Sequence, residues 1–259
     1  FLRAARGVFA FTLEGMVWSR RSLLMAILLG LPILFALLYR AVLVAKVPPE
    51  VTPFDFYGYI VALYYVRNVL PLVALFYASA LIADEVEGKT ITYLLTRPIL
   101  RASILVGKFG AYLVATLTLI LPTLVVTYFL LMTARGLSGI AATVPDLFKD
   151  MGVASLSLLV YGALFALLGV LLKRPVIPGV LFLYVWELVA NLPGYLPRFT
   201  VTVYLRSLIS HRPAQEGISE LFGQVLPAAL CFGVLTAMVV VFLGLALWIF
   251  SRREFVLEQ

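Results

Sequence analysis

Apolar runs of 17 to 25 residues recur along this chain, at 23–44, 59–83, 109–133, 153–172, 176–192 and 226–249. Each is close to the ~20 residues that cross a ~30 Å hydrocarbon layer at ~1.5 Å per residue. Lipid offers no hydrogen-bond partner to a peptide group, so the runs are expected to be helices that satisfy their own backbone. Barrel strands would alternate apolar and polar residues over about ten positions, and no such alternation is visible. Only 13% of residues are charged and 63% are hydrophobic, where a soluble domain carries about 25% charge. The expected fold is an all-α integral membrane protein with six spans, forming one domain over residues 1–259. The fourth and fifth runs are separated only by Lys173-Arg174-Pro175, a tight basic hairpin. The fifth is the weakest, with Pro178 near its start, Glu187 within it and Pro193 at its end.

Six spans place both termini on one side of the bilayer. That side would carry twelve basic residues: Arg3, Arg6, Arg20, Arg21, Lys89, Arg97, Arg101, Lys108, Lys173, Arg174, Arg252 and Arg253. The other would carry seven: Arg40, Lys46, Arg135, Lys149, Arg198, Arg206 and Arg212. The excess assigns the first side to the cytoplasm. Trp18 and Trp248 then fall near cytoplasmic boundaries, where interfacial aromatics collect. The net charge of +7 follows from these flanking residues and does not indicate nucleic acid. Residues 1–21 place Phe1, Ala4, Ala5, Val8, Phe9, Leu13 and Val17 at helical spacing, with Arg3, Arg6 and Glu14 elsewhere. That pattern predicts an amphipathic helix along the membrane surface. It is not the pattern of a cleaved signal peptide. The outer connection at 194–225 is long enough for short helices.

The densest charge lies in one internal connection, 84–101, which runs from Asp84 to Arg101. Ala83 followed by Gly88-Lys89-Thr90 fits a relaxed phosphate-loop spacing. A working loop of that type follows a buried strand and cradles anionic phosphates. Here the preceding element is a membrane span, and Asp84, Glu85 and Glu87 would repel the ligand. The better reading is a short amphipathic helix from Thr90, with Ile91, Leu94, Leu95 and Ile99 on one face. Gly88 permits a sharp exit from the second span, and Pro98 disfavours helix at Arg97.

The stretch Ile82-Ala83-Asp84-Glu85-Val86-Glu87-Gly88-Lys89-Thr90, with Leu94-Leu95, Pro98, Arg101 and Gly107-Lys108 after it, resembles the signature of ABC transporter type-2 permeases. The overall layout is similar too. The resemblance implies that 84–101 is a cytoplasmic coupling helix docking on a separate ATP-binding subunit. Glu85, Glu87, Gly88, Thr90, Leu94, Leu95, Pro98 and Arg101 would form or shape that contact. Lys89 departs from the family, which often has an uncharged residue there. The Glu-Ala-Ala loop of ABC importers is missing, which favours an exporter. The implied assembly has two permease copies, identical or related, and two ATPase subunits. ATP and magnesium would be bound by the ATPases and no cofactor by this chain. The implied location is the bacterial inner membrane.

Arg67, in the second run, and Glu187, in the fifth, are the ionisable residues expected deepest in lipid. Such residues usually face a bundle interior or a water path and pair; the alternative is snorkelling to the outer headgroups. In the resembled family these spans line the central cavity of the dimer, so the two are candidate cavity-lining residues. His211 is the only histidine and Cys231 the only cysteine, so no metal site is expected. The reading is a non-catalytic permease subunit that moves a substrate. Its alternatives are the same assembly transmitting force to an outer or periplasmic auxiliary partner, a stand-alone secondary transporter, which would more often show repeat symmetry, and a lipid-modifying enzyme, which would show clustered polar residues.

Overall fold

The computed structural model describes residues 2–17, 20–45, 51–87, 100–172, 174–190, 196–209 and 226–252. They form helices joined by short turns, with no strand among them. Helix α1 is Leu2–Val17 and α2 is Arg20–Val44. The next element is continuous but irregular: α3 at Pro53–Tyr59, a π-helical stretch at Ile60–Val69, α4 at Leu70–Ala78 and α5 at Ala80–Glu87. Helix α6 is Arg101–Met132, α7 is Gly136–Leu171, α8 is Val176–Ala190, α9 is Val201–Leu208 and α10 is Ala228–Arg252.

Five segments are long and apolar enough to cross a membrane: Met25–Val44, Pro53–Glu85, Arg101–Arg135, Gly139–Leu171 and Ala228–Arg252. The chain is therefore a multi-pass membrane protein. The expected fifth span is α8, whose 15 residues reach only ~22 Å at ~1.5 Å each. Its apolar run follows Pro175, which cannot sit inside a helix without losing a backbone bond. Two other spans are longer than the sequence pattern suggests. Helices α6 and α7, with 32 and 36 residues, are ~48 and ~54 Å long and must tilt or project beyond the hydrocarbon. Hydropathy marks only the lipid-immersed part of such a helix. The polar start of α7, with its Asp146–Lys149 pair at 3.1 Å, is helical yet invisible to it. Gly136, at φ 77°, turns the chain between α6 and α7.

The π-helical stretch has a local cause. Pro71 has no N–H to give the carbonyl four residues back and its ring crowds that carbonyl. The preceding turn is wider, so the Leu70 N–H reaches the Tyr65 carbonyl. A second irregularity follows at Ser79, whose hydroxyl donates to the Leu75 carbonyl, a bond that bends helices. It separates α4 from α5.

The π-helical stretch, α4 and α7 form the centre of the bundle. Tyr65, Leu70, Ala74, Leu75, Leu158, Ala163 and Phe165 are buried there. Small residues set the crossings: a Cβ on Gly169 would overlap the Ser79 carbonyl oxygen, and one on Gly162 would overlap the Tyr112 ring. Buried hydroxyls are matched across helices. Tyr112 donates to the Leu158 carbonyl at 2.9 Å, Tyr65 to Thr123 at 3.1 Å, and Tyr161 bonds Thr202 at 2.9 Å. Helix α9, outside the spans, buries Val201, Tyr204 and Leu205. Burial raises the Tyr204 phenol above its ordinary range, and its hydroxyl donates to the Arg198 carbonyl at 2.6 Å. Helices α2 and α10 are peripheral and expose Leu34, Leu38, Val240, Val241 and Trp248.

Gly169→Ala is expected to lower the thermal midpoint of the purified protein, because overpacking a close crossing costs ~1–3 kcal/mol. Gly152→Ala is the control: its added Cβ meets nothing within 4 Å, and the midpoint should hold. Melting curves of both variants in detergent check this.

Candidate functional site

The charged connection begins on α5. Asp84 is exposed there and Glu85 partly buried. About two turns in from the start of α6, the chain carries Gly107 and Lys108, both buried. The Lys108 ammonium donates to the Glu85 carboxylate at 2.6 Å and to the Leu81 carbonyl at 2.9 Å. Lys108 keeps 7% of its side chain accessible and Glu85 22%. A cation this deep in an apolar bundle is tolerated only when paired and hydrogen-bonded, and both conditions are met on α5.

Two further elements converge on the same end. Helix α1 packs across α6, with the Phe9 ring 3.5 Å from where a Cβ on Gly110 would stand. Its Val8, Phe9, Thr12, Leu13 and Met16 turn partly inward while Arg6, Phe11 and Glu14 are exposed. The first residue of α6, Arg101, donates to the Ser251 carbonyl near the end of α10 at 3.4 Å; a cation at a helix C-terminus also suits its dipole. Arg252 of α10 lies over the Trp248 ring, 4.8 Å from its centroid. A cavity of about 250 Å³ opens between α1, α5 and α6, with Phe11, Met16 and Leu81 on its apolar side and Asp84, Glu85 and Lys108 on its polar side. The termini of four helices and both ends of the charged connection thus gather at one end of the bundle. Among the described residues no cluster of three or more His, Cys, Asp or Glu side chains is placed to hold a metal ion.

Of the residues expected to contact a partner, Glu85 and Arg101 occupy this end. Glu87 closes α5, its side chain outside the described residues. Gly88, Thr90, Leu94, Leu95 and Pro98 lie wholly outside them, as does the expected helix from Thr90. Arg67 sits in the π-helical stretch, half-buried, away from this end. Glu187 lies on α8, its side chain outside the described residues. The structure adds two buried ionisable groups. Lys108 is one; 23 residues separate it from Glu85, so no local spacing announces the pair. Asp150, 1% exposed, is the other. It lies against Tyr57, which meets Tyr128 edge-on at 5.4 Å. Asp150 falls before the apolar part of α7, where hydropathy reads it as a loop charge.

The fold defines a class: a multi-pass helical membrane protein whose helices are tied together at one end by Lys108 and Arg101. Residues 52–255, from α3 through α10, match the family described as ABC-2 family transporter protein, and the chain belongs to that family. It is an ABC transporter permease, and membership implies partnership with an ABC ATP-binding subunit. The family comprises membrane subunits that are generally non-catalytic. Helices α1 and α2 precede the matched region. No curated protein matches the chain.

Replacing Lys108 with Ala is expected to destabilise the protein by about 3 kcal/mol, the lower end for breaking a buried pair, because Glu85 keeps partial access to solvent. The double variant Glu85→Gln/Lys108→Met should lose less than the two single losses summed. A double-mutant cycle of unfolding in detergent checks both.

Proposed function

We propose that this chain is the membrane subunit of an exporter that couples ATP hydrolysis by a separate ATPase to movement of a substrate across the bacterial inner membrane. Both termini are cytoplasmic in this reading, and α8 is a sixth, short membrane-inserted helix. Two permease copies enclose the path and two ATPase subunits sit beneath them. The observation that carries the reading is the convergence of α1, α5, α6 and α10 around the ends of the charged connection, in a member of this family. A partner seated on that connection would touch elements joined to each other by the Glu85–Lys108 pair and the Arg101–Ser251 bond. Nucleotide-bound and nucleotide-free ATPases must favour different arrangements of the bundle, since only differential binding shifts such an equilibrium. The connection supplies its apolar face through Leu94 and Leu95 and its charge through Glu87 and Arg101, while Glu85, paired with Lys108, shapes its root on α5. Gly88, Thr90 and Pro98 shape the turn.

Arg67 and Glu187 line the path near its outer half. Arg67→Leu and Glu187→Leu should each impair substrate-stimulated ATP hydrolysis while leaving membrane insertion intact.

The test is co-expression with a candidate ATP-binding-cassette ATPase. The wild-type pair should co-purify, and Leu94→Arg or Leu95→Arg should abolish co-purification without loss of membrane insertion. Wild-type chain that retains no ATPase contradicts the proposal. ATP hydrolysis stimulated only by an outer protein, and by no small molecule or lipid, would replace export with force transmission.

A further inference from the structure

Helix α5 is hinged at one end and clamped at the other. Its eight residues are set off from α4 at Ser79, whose N–H and hydroxyl both donate to the Leu75 carbonyl, a side-chain bond of the kind that weakens and often bends a helix. The bend rests on Gly169 of α7, which has no room for a side chain there. The far end of α5 leads into the charged connection. A displacement entering there meets the bend first, and a lone two-turn helix would swing about it.

Lys108 removes that freedom. Its ammonium holds two acceptors on α5, the Leu81 carbonyl at 2.9 Å and the Glu85 carboxylate at 2.6 Å. They lie four residues apart, hence one above the other on the same face. One contact would let α5 roll about it, whereas two on successive turns fix its rotation as well as its distance. The anchor belongs to α6, a continuous helix of 32 residues in which Pro122 removes one backbone bond. Phe129 lies 21 residues beyond Lys108, ~32 Å along the axis, about the depth of the hydrocarbon. Burial of Lys108 limits the water that competes for the pair to what reaches Glu85.

We infer that Lys108 is a positioning residue of the transport cycle: it locks α5 to α6, so that displacement of the charged connection travels to the far end of the third span instead of being absorbed at Ser79. The inference rests on the proposed coupling to an ATPase.

The test separates tether from charge. The chain and its ATPase are placed in lipid nanodiscs, in a Cys231→Ala background, with an environment-sensitive fluorescent amino acid replacing Phe129. Emission is compared with and without ATP plus vanadate. Lys108→Met should still co-purify with the ATPase, yet its nucleotide-dependent shift should fall about fivefold or more, the lower range of allosteric coupling. Glu85→Cys/Lys108→Cys should respond as weakly until joined by a bis-maleimide, which restores the tether without the charges and should restore the shift. A full shift in Lys108→Met, or no recovery on cross-linking, overturns the inference alone. Unsubstituted Lys108 chain that binds ATPase but shows no shift overturns it too, whereas failure to bind ATPase overturns the coupling reading and this inference together.

Discussion

Hydrocarbon offers no hydrogen bonds, and the whole architecture follows from that constraint. Each spanning segment must close its own backbone ladder, so the described residues form helices. Where the ladder is interrupted, something nearby compensates. Pro71 is accommodated by a wide π turn in which Leu70 reaches Tyr65, and Ser79 adds a side-chain bond to Leu75. Buried tyrosines find carbonyls or threonines on neighbouring helices, as Tyr112 finds Leu158. These bonds do more than fill valences: with the glycine crossings they fix which helices touch, because apolar side chains alone do not distinguish protein from lipid.

The same constraint decides where charge can be used. Lys108 is accommodated inside the bundle because α5 offers it a carboxylate and a carbonyl. The Arg101–Ser251 bond ties α6 to α10, and α1 lies across α6. The break at Ser79 and the Glu85–Lys108 pair therefore lie at the two ends of one two-turn helix, α5, which carries Asp84 and Glu85. In the proposed reading, the paired end is the end at which a soluble partner has something rigid to act on.

Much of this was legible in the residues. Hydropathy located the lipid-immersed part of five long helices, and the Asp84–Arg101 connection stood out because it is polar inside an apolar chain. Helix ends were less legible. The first turns of α7, around Asp146 and Lys149, are helical through packing and local pairing, to which hydropathy is blind. Helix α8 has an apolar run long enough to suggest a crossing, of which the described helix covers 15 residues. The Glu85–Lys108 pair was hidden for a different reason: it joins residues from separate helices, and its partners are set by how α5 crosses α6. Asp150 was hidden because a single acid among polar neighbours reads as a surface residue until the fold buries it against Tyr57.

The central claim is that the Asp84 end of the bundle faces the cytoplasm and is covered by an ATPase. Its most direct test is the accessibility of Asp84→Cys, in a Cys231→Ala background, to a membrane-impermeant maleimide in oriented vesicles. Labelling only in inside-out vesicles, with protection when the ATPase is bound, is the predicted result. Labelling in right-side-out vesicles, or an unchanged rate with the ATPase bound, would contradict the account.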